Sequence, residues 1–240
     1  MMKTYFLTLI LAAGLFPASS DAQIKLPKIF SKGSSSGVSE SEAGQGIKEA
    51  LTNGVTNAVL NLNKTDGFFG SEVYKMFLPP DAQKIERTLR SAGMGAQVDK
   101  AILAINRGAE DAVIFAKPIF VDAIKEMTFT DALNILKGNK DAATQYFKQK
   151  TTEKLIAAFM PSVKTSLDKV EATKYYTDIV TTYNKLPTTF NKVNPDLPSF
   201  VVGKAVEALF DQVAKEEANI RANPLARTSD ILKKVFGGIK

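Results

Sequence analysis

The chain has 240 residues, 45% of them hydrophobic and 23% charged, which is the composition of a folded globular protein. It contains no histidine and no cysteine, which excludes Ser-His-Asp and Cys-His catalysis, zinc or haem sites built on those ligands, and disulfides. The net charge is +6, but the basic residues form no stripe with interleaved aromatics, so nucleic acid is not predicted as a partner. Phosphate-loop, dinucleotide-binding and calcium-loop motifs are absent, and we therefore predict no metal ion and no cofactor.

Residues 1–22 have the pattern of a secretory signal peptide. Lys3 is followed by an apolar run over residues 5–16 and by small residues at Ser20 and Ala22, which predicts cleavage after Ala22. The run is shorter than the ~20 apolar residues that span a bilayer, so no transmembrane segment is expected after cleavage. The sequence therefore predicts export to the periplasm or beyond, and a chain without cysteine is not a bacterial lipoprotein.

Residues 23–38 have the composition of a flexible basic linker. Lys25, Lys28 and Lys32 accompany a run of glycine and serine. Two interpretations are open for this segment. It either associates weakly with an anionic membrane surface or serves as a disordered spacer.

From residue 39 onward, nearly every segment spaces its apolar residues by three and four, the periodicity of a helix. The first helix is predicted from Ser39 to Leu62, and a loop follows through residues 66–70. The next helix begins after Pro80 and ends at Gly93, because proline suits a helix start and glycine a helix end.

Prolines and capping residues divide the middle of the chain. A helix over residues 97–117, which contains Asn106, is predicted to break or kink at Pro118. Thr128 and Asp131 have capping-box spacing for a short helix that stops at Gly138. The helix after it is expected to end before Pro161, because an interior proline removes a backbone hydrogen bond.

The following helix is predicted to reach Pro187, and Pro195 and Pro198 are expected to prevent regular structure in the loop after it. Two helices then close the chain, the last over residues 228–237. Sustained strand alternation is absent from the sequence. Residues 39–240 are therefore predicted to form one all-α domain, a multi-helix bundle of about seven to nine helices.

The segment NRGAEDAV, residues 106–113, concentrates polar residues in an otherwise apolar helix. Spacing by four groups Asn106 with Glu110 beside the apolar face, and Arg107 with Asp111 on the opposite side. A buried Glu110 needs a partner, because an unpaired buried charge is costly. The candidate partners are arginines from other helices: Arg87, Arg90 and Arg221.

Glu217 and Arg221 have the four-residue spacing of a helix salt bridge. With Asn106, Arg107 and Glu110 they form the candidate polar cluster of this sequence. We interpret the cluster as a structural joint between buried helices rather than a functional site.

Two further patterns resemble catalytic arrangements. Ser166 and Lys169 have the SxxK spacing of serine-lysine acylases, but no SDN or KTG element accompanies them. Glu216 and Glu217 are adjacent carboxylates, which on a helix point about 100° apart and are poor partners for one bond. We predict no catalytic residue at either place.

Several segments carry a family resemblance through their order and spacing. They are ALTNGVTNAVLNL, KTDGFF, LPPDAQKIERTLRSAGMG, NRGAEDAV, AKPIF, AIKEMTFTDALNILKG, AATQYF, EEANIRANPLAR and LKKVFG. Over about residues 40–237 the chain resembles DUF4197, a bacterial family of secreted helical proteins. The resemblance implies an exported, all-helical, single-domain protein and supplies no reaction, because the family is named for its unknown function. Gly108 departs from the alanine expected in the motif NRAAE, which makes the helix more pliable at that point.

The main functional hypothesis is a non-catalytic, exported, helical binding protein that acts on an envelope protein or another envelope component. The first alternative is a carrier of a lipid or apolar small molecule in a cavity between helices. The helix aromatics that suggest this carrier are Phe120, Phe129, Phe147, Phe159 and Phe210. The second alternative is an enzyme that acts on an envelope polymer through Glu110, Glu216 or Glu217, and it is the least favoured because no catalytic motif is recognised.

Overall fold

The computed structural model describes residues 40–185, 187 and 191–222 of the chain. Eight α-helices lie in this part: α1 (Glu40–Asn63), α2 (Gln83–Ser91), α3 (Gly95–Val113), α4 (Ala116–Glu126), α5 (Phe129–Lys137), α6 (Ala142–Asp168), α7 (Ala172–Asn184) and α8 (Leu197–Ala222). A 3-10 turn, Pro80–Ala82, precedes α2, and none of the described residues lies in a strand. The all-α fold class and the predicted number of helices are confirmed. The signal peptide predicted at 1–22, the linker at 23–38 and the helix at 228–237 lie outside the described residues.

The core forms where α6 packs against α3 and α8, and where α1 packs against α8 and α4. Four of the five aromatics that suggested a carrier cavity fill this core instead. Phe120, Phe147 and Phe159 are fully buried and Phe210 nearly so, and the Phe120 ring meets those of Phe147 and Phe210 edge-on at 5.0 and 6.2 Å. Such edge-to-face contacts add to the stabilisation that burial provides.

Gly108 lies where α3 and α6 approach each other closely. A Cβ added there would stand 3.1 Å from Cβ of Ser166 and 3.4 Å from Cα of Val163. The missing methyl group therefore allows close helix contact. Gly108 therefore has a packing role in addition to the local pliability expected of glycine.

Helix α6 corrects the prediction that a helix ends before Pro161, because α6 continues through this proline to Asp168. Pro161 is exposed, while Phe159 and Val163 on either side of it are fully buried. Burial of the apolar face thus outweighs the backbone hydrogen bond that the proline removes.

The segment after Pro161 is also divided differently from the prediction of one helix to Pro187. It breaks between α6 and α7, where Glu171 adopts a left-handed backbone conformation with φ of 54°. Pro118 and Pro198 both lie in the first turns of helices, α4 and α8, where their missing N–H groups have no helical partner to lose. The prediction that Pro198 prevents regular structure is therefore wrong, and the break expected at Pro118 occurs just before α4.

The short helix α5 matches its capping prediction closely. The Thr128 hydroxyl accepts a hydrogen bond from the backbone N–H of Asp131, and the Asp131 carboxylate accepts one from the backbone N–H of Thr128. These reciprocal bonds satisfy N–H groups that no helical carbonyl reaches. Helix α5 ends at Lys137, with Gly138 after it as predicted.

Candidate functional site

Asn106 is fully buried on α3 and holds the loop between α1 and α2. Its side-chain oxygen accepts a hydrogen bond from the backbone N–H of Met76 at 2.8 Å. Its side-chain NH₂ donates to the carbonyls of Met76 at 2.8 Å and Ile102 at 2.7 Å. Both donors and one of the two acceptor sites of this amide therefore bind backbone groups, and these bonds fix the position of Met76.

Glu110, one turn further along α3, binds the start of the same loop. One carboxylate oxygen accepts hydrogen bonds from the backbone N–H groups of Phe68 and Phe69, both at 3.0 Å. The other accepts from the guanidinium of Arg107, which also donates to Asp66 at 2.8 Å. Glu110 and then Asp66 raise the pKa of Arg107, because both carboxylates stabilise the charged guanidinium.

These contacts correct the pairing inferred from helical spacing. Arg107 binds Asp66 and Glu110 instead of Asp111, whose carboxylate accepts a hydrogen bond of 3.4 Å from Ser166. Arg90, one of the arginines expected to meet Glu110, instead binds Glu86 and Asp99. The physical reason is the loop after α1, which covers this face of α3 and supplies Asp66 and two backbone donors.

The Glu217–Arg221 pair of α8 forms a second, separate joint. Glu217 is buried and accepts hydrogen bonds from the backbone N–H groups of Ala143 and Thr144 at 3.0 and 2.9 Å, at the start of α6. Arg221 donates to Glu217 at 2.7 Å and to the carbonyl of Ile135 at 2.8 Å, near the end of α5. The predicted salt bridge is present, and Arg221 binds Glu217 rather than Glu110.

Neither of the two sequence patterns that resemble catalytic arrangements, Glu216 with Glu217 and Ser166 with Lys169, forms a catalytic arrangement in the structure. Glu216 accepts a hydrogen bond from Asn57 of α1, whereas Glu217 faces α6, so the adjacent carboxylates point to different helices. Ser166 is buried against α3, and Lys169 lies beyond the end of α6. The five residues of the candidate polar cluster thus divide into two joints, each made of a carboxylate, an arginine of the same helix and backbone N–H groups of another segment.

A surface cluster that the sequence analysis did not identify links the loop after α1 to α8. Tyr74 donates a hydrogen bond to Asp211 at 2.5 Å, and Lys215 binds the Tyr74 hydroxyl at 2.6 Å and Asp211 at 2.9 Å. Burial, followed by Asp211, raises the pKa of Tyr74, whereas Tyr74 and Lys215 lower the pKa of Asp211. All three groups keep their usual charge at neutral pH, so none is poised as a general acid or base there.

A cavity with a volume of about 640 Å³ lies between α2, the first half of α3 and α7. We call it the α2–α7 groove. Its apolar walls include Leu78, Ile85, Leu89, Val98, Ala101 and Ile179. A second cavity of about 440 Å³ shares Ile85, Leu89 and Ile179 with it, so these three side chains of α2 and α7 border both cavities.

Tyr176 lines the groove, and its side chain is itself buried. Its hydroxyl donates to the carbonyl of Asn194 at 3.1 Å. Burial, and to a smaller extent the charge of Asp81, raises the pKa of Tyr176 to about 12. The phenol is therefore neutral throughout the physiological range and contributes apolar surface to the groove.

The charged residues of the groove are Lys100, Lys169 and Glu171. The Glu171 carboxylate accepts a hydrogen bond from Tyr175 and thereby raises the pKa of that tyrosine. The groove thus combines an apolar interior with a small number of polar groups, which is the usual composition of a small-molecule site. The apolar positions of α2 and α7 in the sequence indicate which side chains line the groove. No sequence pattern indicates that a cavity remains between these two helices.

A family model described as protein of unknown function, DUF4197, matches residues 37–237. The chain belongs to the DUF4197 family. Searches of curated proteins and of solved structures give no significant match.

In this DUF4197 protein, no three His, Cys, Asp or Glu side chains among the described residues are grouped to hold a metal ion. None of the described helices is long and apolar enough to cross a membrane. With a volume of about 640 Å³, the α2–α7 groove has room for a ligand of substantial size.

Proposed function

We propose that this protein is an exported, non-catalytic binding protein that takes up an apolar small molecule or lipid chain in the α2–α7 groove. The observation that carries the proposal is the groove itself, which has a volume of about 640 Å³ and mainly apolar walls that include leucine, isoleucine, valine and alanine. Ligand sites typically measure about 300–1,000 Å³ and are mainly apolar. Export is supported by the signal-peptide pattern of residues 1–22.

The apolar walls are suited to a ligand that gains little from hydrogen bonding. Each methylene group removed from water contributes about 0.8 kcal/mol, so a chain of several methylenes supplies binding energy without a dedicated polar partner. The tyrosine that lines the groove stays neutral, which keeps the wall compatible with such a chain.

The polar joints give no support to catalysis by Glu110 or Glu217. Glu110 and Glu217, two of the carboxylates proposed for an enzyme, each accept backbone hydrogen bonds and bind an arginine. A general acid or base needs contact with a reacting group, and the bonds that these carboxylates make lie within the protein. The enzyme hypothesis therefore gains no support from either residue.

The test is a titration of the mature protein with N-phenyl-1-naphthylamine, an uncharged apolar dye that fluoresces in dry sites. We expect saturable binding, together with a co-purified ligand in native mass spectra of freshly isolated protein. Ala101→Trp fills the groove and should weaken dye binding at least tenfold, whereas Ala157→Trp, on the exposed side of α6, should not. Val170→Trp repeats the filling at a position that is 38% exposed, where a larger side chain displaces fewer core atoms than at a buried one.

Absence of saturable dye binding would overturn the proposal. Equal weakening by Ala101→Trp and Ala157→Trp would place the dye elsewhere and would also overturn it. Melting curves followed by circular dichroism establish that each variant is folded before its affinity is compared.

A further inference from the structure

We infer that the ligand of the α2–α7 groove is a single-chain amphiphile with a carboxylate head, a fatty acid, whose head group binds Lys100 and Lys169. The inference rests on the proposed function and adds the charge and the orientation of the ligand.

Three of the polar groups of the groove are already occupied. Tyr176 donates its hydroxyl hydrogen to Asn194, and Tyr175 is hydrogen-bonded to Glu171. The groups left are the ammonium groups of Lys100 and Lys169 and the amide of Gln97, which have no side-chain bond within the described part of the chain. The groups of the groove that are available to a ligand are therefore mainly hydrogen-bond donors, and two of them carry a positive charge.

The polarity of the groove also has a direction. Lys100 and Lys169 are exposed and keep their charges in contact with water, whereas Leu78, Val98 and Leu197 of the same groove are buried. A ligand that fits both parts has an apolar tail for the buried side and an anionic head for the exposed side. A single acyl chain with a carboxylate has this distribution.

The net charge of the groove favours an anion over a cation. Two lysines and one glutamate line it, and the glutamate is already hydrogen-bonded to a tyrosine. A carboxylate gains charge-assisted hydrogen bonds from the two ammonium groups, whereas an alcohol of the same chain length gains weaker ones. A cationic head would be repelled by both lysines.

The experiment compares three ligands of equal chain length as competitors of N-phenyl-1-naphthylamine: hexadecanoate, hexadecanol and hexadecyltrimethylammonium. We expect hexadecanoate to displace the dye at a concentration about tenfold lower than hexadecanol does, a difference of about 1.4 kcal/mol. The cationic amphiphile should be the weakest competitor. High salt should reduce the advantage of hexadecanoate, because exposed charges are screened.

Lys100→Gln/Lys169→Gln should raise the Kd of hexadecanoate about tenfold and leave that of hexadecanol unchanged within a factor of two. The matched control is Lys117→Gln/Lys154→Gln, which removes the same charge from exposed positions outside the groove. An equal effect of both double variants would show that net charge alone attracts the anion, and it would overturn the inference. Equal displacement by the acid and the alcohol would also overturn it while leaving the proposed function intact, whereas failure of the dye to bind would overturn both.

Discussion

Two carboxylates, Glu110 and Glu217, have the same role in different parts of the molecule. Each is buried, each accepts hydrogen bonds from two consecutive backbone N–H groups of another segment, and each pairs with an arginine three or four residues along its own helix. A buried carboxylate is stable only when its charge and its lone pairs are satisfied in this way. The arrangement supports a structural role for both residues.

Replacing Glu110 with alanine tests this role. The change leaves the backbone N–H groups of Phe68 and Phe69 without an acceptor and removes one of the two carboxylate partners of Arg107. Unsatisfied buried groups cost about 1–3 kcal/mol each, so we expect the free energy of unfolding to fall by about 3 kcal/mol. Urea denaturation followed by circular dichroism at neutral pH measures the change.

The control is Glu153→Ala on the exposed side of α6, which should alter the free energy of unfolding by less than about 0.5 kcal/mol. A functional role would give the opposite result: Glu110→Ala would keep its stability and lose binding of N-phenyl-1-naphthylamine. That outcome would contradict the structural interpretation.

The residues of both joints could be identified from the sequence, whereas their partners could not. Asn106 and Glu110 are conspicuous because they adjoin an apolar helical face, and the spacing of Glu217 and Arg221 suggests a salt bridge. Their main partners, however, are backbone groups of loops and helix ends, which carry no side-chain pattern. The groove could not be predicted either. It lies between α2 and α7, and the sequence carries no pattern for the space left between two helices.

At the scale of elements, α8 connects α5 to α6 through one pair of side chains. Arg221 binds the carbonyl of Ile135 near the end of α5, and Glu217 binds the backbone N–H groups of Ala143 and Thr144 in the first turn of α6. The positive charge thus lies at a helix C-terminus and the negative charge at a helix N-terminus, which is the favourable orientation toward both helix dipoles. The pair replaces caps that the two helix ends otherwise lack.

Glu217→Ala should therefore loosen the start of α6 before it affects the rest of the helix. We expect hydrogen exchange of the Ala143 and Thr144 amides to accelerate at least tenfold, because each loses the carboxylate that it binds. Exchange near Phe159, in the buried middle of α6, should change much less. Amide exchange measured by NMR spectroscopy resolves these positions.

Glu216→Ala is the matched control, because Glu216 is the neighbouring carboxylate and bonds to the exposed side chain of Asn57. It should leave the exchange of Ala143 and Thr144 unchanged. The role assigned to Glu217 would be wrong if the two variants accelerated these amides equally.

Prolines show most clearly where sequence rules and packing disagree at this scale. Apolar periodicity places most helices correctly, since each needs one buried face, and the capping box at Thr128 locates the start of α5. Pro161 nevertheless lies inside α6 and Pro198 inside the first turn of α8. Whether a proline ends a helix depends on its position in the turn and on the burial around it, which local sequence does not contain.

At the scale of the whole molecule, a tightly packed core of α1, α3, α6 and α8 contrasts with a loosely held α2. Ile85 is the one buried residue of α2, and the Arg90–Asp99 ion pair, which ties α2 to α3, is exposed. The same helix borders both cavities. The element that closes the proposed binding groove is therefore also one with few buried contacts, and such elements open with little free energy.

This contrast predicts that a ligand in the groove will protect α2 and α7 selectively. With N-phenyl-1-naphthylamine at a hundred times its Kd, binding stabilises the closed groove by about 2.7 kcal/mol, so amides that exchange by opening of the groove should slow by up to about a hundredfold. The affected ranges are residues 83–91 and 172–184, whereas exchange in the buried parts of α1 and α8 should change little. Ala101→Trp, which fills the groove and weakens dye binding at least tenfold, should reduce the protection of α2 at least about tenfold at the same dye concentration. Protection spread evenly over all helices, or confined to α1 and α8, would contradict the assignment of the groove as the binding site.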